Sequence, residues 1–251
     1  MGLGQISQPA TQGRDLTKLG IVVALNLEAR CLGKNPKEVE GFLHLSGGTA
    51  AKISGVGSGG AQLAAELLAK KGARSLLSWG CAGGLHAGLS PGSLIIPKKV
   101  LSVDRASFSV DSVWHHRLCT RLGGYLDLHT GPLIQNPTAL NTPTDKIASF
   151  KRTGAIAVDM ESAAVAEVAK QKALPFLAIR AIVDPVSMTL PASALAAADE
   201  AGRVCPLQVL KGLFSNPGEF FSLVQLIRNF RSVKSSLMRV VRLAGHDFLA
   251  P

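Results

Sequence analysis

Short apolar runs alternate with glycine turns and alanine-rich helical stretches along most of this 251-residue chain. Leu19-Gly20-Ile21-Val22-Val23-Ala24-Leu25 predicts a first buried strand, with Asn26 to Arg30 turning at its carboxyl end. Ala51 to Ser54 predicts a second strand, followed by Gly55-Val56-Gly57-Ser58-Gly59-Gly60 and a helix over 61–71 carrying Leu63, Leu67 and Leu68. Ser75 to Trp79 predicts a strand ending in the turn Gly80-Cys81-Ala82-Gly83-Gly84-Leu85, and Leu89 to Pro97 a turn entering another strand. Residues 102–144 show no regular pattern. Ala155 to Val158 is again of strand type and Ala163 to Ala169 helical, while Leu174 to Val183 is a buried strand ending at Asp184-Pro185.

Two helices complete the pattern. Residues 191–203 predict an alanine-rich helix that could close over a site. In residues 219–243, Leu223, Leu226, Ile227, Phe230, Val233, Leu237, Val240 and Val241 recur at helical spacing. Strands that alternate with helices predict one α/β domain over residues 19–215, preceded by a flexible leader at 1–18 and followed by a basic amphipathic helix at 216–251.

Charge adds a direction to this frame. Lys and Arg number 27 against 17 Asp and Glu, a formal +10 that favours anionic partners. Five of these cations, Arg228, Arg231, Lys234, Arg239 and Arg242, sit on the last helix, with no acid between Glu219 and Asp247. Two alternatives follow: a helix packed on the domain, or one that also lies on a membrane surface. No apolar run approaches the length of a membrane span, and Met1 to Ile6 matches neither a signal peptide nor a myristoylation pattern.

The four cysteines lie far apart without a C-x-x-C pair, which fits reduced thiols in a cytoplasmic protein. His115-His116 has no carboxylate at ligand spacing, so no metal site is expected.

Candidate chemistry sits where ligands of open α/β sheets bind, outside the carboxyl ends of strands. Glu28, the pair Asp159 and Glu161, and Asp184 all fall there. Each also has an ordinary explanation, as a helix-start carboxylate or as an Asp-Pro turn. The run 55–60 has the form G-x-G-x-x-G, but no acid occurs between Glu66 and Asp104 to hold a ribose. The glycines therefore predict a tight turn approaching a ligand or strand, not a nicotinamide site. The glycines around Ala82 would let a flat ring lie against bare backbone.

Taken in order, Ala24-Leu25-x-x-Glu28, Ser54-Gly55-Val56-Gly57, Gly80 to Leu85, Val158-Asp159-Met160-Glu161 and Arg180 to Asp184 resemble the purine nucleoside phosphorylase and methylthioadenosine/S-adenosylhomocysteine nucleosidase superfamily. The Asp-Met-Glu-Ser form, the segment 184–191 and the basic tail with Asn216-Pro217 are most similar to hopanoid-associated phosphorylases, which act on adenosylhopane. The resemblance implies a three-layer α/β/α fold with a mixed central sheet and cleavage of the N-glycosidic bond of a 5′-substituted adenosine. It makes Asp184 the general acid and Glu28 the activator of water, with Glu161 and Met160 at the ribose and Val158, Ala82, Gly83 and Gly57 around the substrate.

No cofactor is implied, although phosphate could be a co-substrate. Glu28 matches the nucleosidases, since phosphorylases place an arginine there and commonly a Ser or Thr where Cys81 stands; Arg30 could still serve phosphate. The resemblance also implies a homodimer that binds a small nucleoside and no nucleic acid, in the cytoplasm or peripheral on the inner membrane. The alternative is an inactive module of the same fold that binds a nucleoside or lipid.

Overall fold

The computed structural model describes residues 18–33, 36–191, 218 and 220–251. The predicted leader and the helix at 191–203 therefore lie outside the described residues, apart from Lys18 and Pro191. Strand β1 (Leu19–Val23) is wholly buried and runs into the single-turn helix α1 (Asn26–Ala29). The hairpin β2 (Lys37–Val39) and β3 (Phe42–Leu45) leads antiparallel into β4 (Thr49–Ile53), which pairs parallel with β1.

Helix α2 (Ser58–Lys70) buries Ala61, Ala64, Ala65 and Leu68, whereas Leu63, expected on its apolar face, is exposed. The reason is close approach: a Cβ on Gly20 of β1 would stand 3.0 Å from Leu68 Cβ, so the helix turns its small residues inward.

The sheet is organised around β5 (Ser75–Gly84), which runs through the glycines expected to form a turn after Trp79. Glycine weakens strand propensity, but pairing on both edges overrides it here. One edge of β5 pairs parallel with β1, and the other pairs parallel with β12 (Phe176–Asp184). At its end, β5 also pairs antiparallel with β11 (Ala157–Asp159), through Val158 and Gly83. From β11 the sheet continues through β10 (Leu133–Gln135), β7 (Lys99–Ser102) and β8 (Ser107–Ser109), with β6 (Leu94–Ile95) and β9 (Leu128–His129) beside β12. Parallel and antiparallel pairs together make the sheet mixed.

Residues 102–144 are more regular than the sequence suggests. They hold α3 (Ser112–Leu122), capped by Asp111 and burying Trp114, Leu118 and Leu122, and they enter α4 (Pro143–Thr153), capped by Thr142. Helices α2 and α5 (Ser162–Gln171) pack on each other and on the sheet, while α3 packs against α6 (Phe220–Ala244), which also lies on β12. Because β1 and most of β5 and β12 are buried on both faces, the sheet is the middle of three layers.

The C-terminal helix is part of this core and not an appendage. Val233, Leu237 and Val240 join the same cluster as β5 and β12. Beyond Ala244 the chain turns back. Trp114 donates its indole N–H to the Phe248 carbonyl at 2.7 Å, and the Phe248 ring meets Trp79 edge-on at 5.1 Å.

Candidate active site

Glu28 is placed by the shortness of α1. The chain leaves β1 at Val23, makes one turn, and brings the Glu28 carboxylate back so that Oε2 accepts from Leu25 N–H at 3.0 Å. Its other oxygen reaches β5, where Oε1 accepts the Cys81 N–H at 2.7 Å and the Cys81 thiol at 2.9 Å. A Cβ on Gly80 would meet that oxygen at 2.5 Å, so only glycine admits the carboxylate there. Trp79 donates to the Glu28 carbonyl at 3.3 Å from the layer beneath. Burial, followed by the Glu28 charge, pushes the Cys81 thiol well above its usual range, so it remains a donor and not a thiolate.

The second group forms at the junction of β11 and α5. Asp159 turns into the core and accepts from Arg180 Nε at 2.7 Å and from the Ser162 hydroxyl. Arg180 is itself buried, and its Nη2 donates to the Ser78 and Ser162 hydroxyls at 2.7 and 3.1 Å. Burial opposes the guanidinium charge, but Asp159, Glu161 and Glu28 outweigh it.

Glu161 lies 4.0 Å from Arg180 and accepts the Gly57 N–H at 2.9 Å, across the sheet end. The glycine loop is packed for this approach, since a Cβ on Gly60 would stand 2.3 Å from the Ser54 carbonyl. Burial, then the Asp159 charge, pushes the Glu161 carboxyl up to about 7, with Arg180 and the Gly57 N–H opposing. A group poised there can exchange between acceptor and donor near neutrality.

Asp184 ends β12 just past a register shift between Ile182 and Asp184. Its carboxylate packs over Gly83, where a Cβ would meet Oδ2 at 3.1 Å. Behind it, Lys146 of α4 forms an ion pair with Oδ2 at 2.7 Å. Burial raises the Asp184 carboxyl above its ordinary range, and Lys146 offsets part of that rise.

These groups converge on one cleft of about 210 Å³. Glu28, Asp184, Glu161, Met160, Val158, Ala82 and Gly83 all line it. Gly57 does not: its neighbour Val56 lines the cleft, and Gly57 acts through its N–H on Glu161. Arg30 is exposed and stands outside the lining. Thr138, Ala139 and Leu140, from the segment without sequence pattern, form a further wall with Leu190.

Two charged groups escaped the sequence as site components. Arg180 is read as part of a buried strand and of the motif 180–184 but is given no role, and Lys146 is not singled out. An arginine inside a buried strand was the available signal for the first, because such a charge needs partners.

Chemically, the cleft can hold a flat polar ring against Ala82, Gly83 and Val158, with acids at both ends. Among the described residues, no group of three His, Cys, Asp or Glu side chains converges to hold a metal ion.

Comparison with solved structures finds the same fold. The 5′-methylthioadenosine/S-adenosyl homocysteine nucleosidase of Helicobacter pylori superposes with a TM-score of 0.65 at 15% identity, over 90% of this chain and 98% of that one. The corresponding nucleosidase of Neisseria meningitidis gives 0.63 at 19% identity, over 90% and 97%. Futalosine hydrolase of Helicobacter pylori gives 0.64 at 14%, over 90% and 98%. No curated protein matches the chain significantly. The sequence profile described as the phosphorylase superfamily matches residues 19–205. With that match running from the first strand past the last strand of the sheet, the chain belongs to the phosphorylase superfamily.

Proposed function

We propose that this protein hydrolyses the N-glycosidic bond of a 5′-substituted adenosine, releasing adenine. The observation that carries the choice of water over phosphate is the charge of the cleft. Its described lining holds the carboxyl groups of Glu28, Glu161 and Asp184, with that of Asp159 turned away onto Arg180, and no Lys or Arg. A phosphate dianion there would face like charge, and the nearby guanidinium of Arg180 is already committed to Asp159.

In this reading Asp184 gives its proton to N7 of the base, so that the purine leaves without full negative charge. The ribose becomes cation-like at C1′, where nearby carboxylates are favourable. Glu28 takes the proton of the attacking water. Glu161 accepts from the ribose hydroxyls above Met160, while Val158, Ala82 and Gly83 hold the adenine.

The substrate in this proposal is lipid-linked, with adenosylhopane as the specific candidate, and the enzyme works as a homodimer at the membrane surface. The support is an exposed apolar face on the first half of α6, with Phe220, Phe221, Val224 and Ile227 beside Arg228 and Arg231. Among the described residues no helix is long and apolar enough to cross a membrane. Adenine release from 5′-methylthioadenosine and from adenosylhopane, each with and without phosphate, tests the proposal. Release that requires phosphate removes water as nucleophile, and release from neither substrate removes the activity.

A further inference from the structure

Lys146 is fully buried and does not itself line the cleft. An ammonium taken out of water costs several kcal/mol unless all its N–H groups find partners. Here Nζ lies 2.7 Å from Asp184 Oδ2, 2.9 Å from the Met188 carbonyl and 3.1 Å from the Pro185 carbonyl, with the Asp184 carbonyl at 3.5 Å. Its three protons are thus used, and they tie the side chain of Asp184 to the backbone turn that follows it.

We propose that Lys146 is a positioning residue for Asp184, clamping Oδ2 from behind the cleft and stabilising the carboxylate that remains once Asp184 has given up its proton. The inference rests on the glycosidic cleavage proposed above. In that step the carboxyl proton passes to the base nitrogen and the C1′–N9 electron pair goes to the base. The water oxygen bonds to C1′ while its proton goes to Glu28. Lys146 keeps all three protons throughout. Its attraction for Oδ2 grows as the carboxylate develops, so it contributes more in the transition state than before it.

Among the described residues, Lys146 from α4 and, more weakly, the Cys81 thiol from β5 act directly on Asp184, and Glu28 and Glu161 line the same cleft with it. Helix α6 presents neutral Asn229 to the adjoining Val183 carbonyl. Loss of the ammonium therefore removes the one cation that, among the described residues, pairs with the acid.

The test is the pH dependence of adenine release from 5′-methylthioadenosine, or from adenosylhopane if only that is cleaved, by wild type, Lys146→Met and Lys146→Arg, with thermal melts to establish folding. Lys146→Met is expected to lower kcat about 100-fold with little change in KM. Its alkaline limb, where Asp184 ionises, should move up by about half a pH unit or more. Lys146→Arg should return the limb to its wild-type position. If Lys146→Met does not fold, Lys146→Gln, whose amide N–H still reaches the carbonyls, carries the same expectation. A folded variant whose rate falls while the limb stays put reduces Lys146 to scaffolding and overturns the inference. A wild type that releases no base overturns the proposed reaction, and the inference with it.

Discussion

Cys81 meets Glu28 twice, with its backbone N–H at 2.7 Å and its thiol at 2.9 Å from the same carboxylate oxygen. Both donors come from one strand residue, so the orientation of the proposed base is set by β5. Glu28→Gln should lower hydrolysis by about 10²-fold or more and spare any phosphate-dependent release. Cys81→Ser should keep most of the rate, because a hydroxyl also donates. Cys81→Ala should lower it by about fivefold, the worth of one such hydrogen bond of about 1 kcal/mol. Steady-state rates of the three variants check this, and an unimpaired Glu28→Gln would remove Glu28 as base.

Glu161 supplies a prediction in pH. Its carboxyl sits at about 7 in the fold against an ordinary 4.5. A raised carboxyl favours the folded state at low pH, and this contribution is lost as the pH rises from about 4.5 through about 7. Urea titrations of wild type and Glu161→Gln at pH 5 and pH 8 should show the variant gaining relative stability at pH 8, by an amount on the order of 2 kcal/mol. An equal difference at both pH values would mean that Glu161 titrates normally.

The same titration bears on substrate. Ribose hydroxyls donate to the ionised carboxylate, so KM should rise as the pH falls below about 7, approaching roughly tenfold per unit. A flat KM down to pH 5 would separate Glu161 from the sugar.

Arg180 is the buried cation on which Asp159 depends. Arg180→Met leaves that carboxylate without its charge partner and should cost about 3–5 kcal/mol. Arg180→Lys should recover only part, because one ammonium cannot reproduce the fork that spans Asp159, Ser78 and Ser162. Chemical denaturation of both variants reads the difference.

Helix α6 divides along its length. Leu237→Ala empties a core position and should destabilise by about 2–5 kcal/mol. Phe221→Ser and Ile227→Ser, at residues 82% and 54% exposed, should leave stability nearly unchanged while weakening binding to anionic liposomes. Point changes are the right probe, since deleting residues 217–251 would also remove buried Phe248. Liposome sedimentation unchanged in both serine variants would dissociate this face from lipid.

What was legible in the sequence follows from which interactions are local. Glu28, Glu161 and Asp184 could be placed because apolar strands mark their own carboxyl ends. Strand β5 could not be followed past Trp79, because its glycines are held by β11 and β12, which come more than seventy residues later. Helix α4 was hidden for a different reason: its buried residues are Lys146 and Ser149, so no apolar period announces its inner face. In the structure Thr142 caps its start and Gly154, in the left-handed conformation, ends it. Lys146 becomes a site component only through its ion pair with Asp184, from behind the cleft wall.

The packing of Phe248 on Trp79, and of Trp79 beneath the Glu28 carbonyl, makes the first segment of the candidate site lean on the residues that follow the last helix. A growing chain therefore lacks the floor of the Glu28 corner until Phe248 has been made. Glu28 is the first of the candidate site residues in the chain, yet the ring beneath it packs against Phe248.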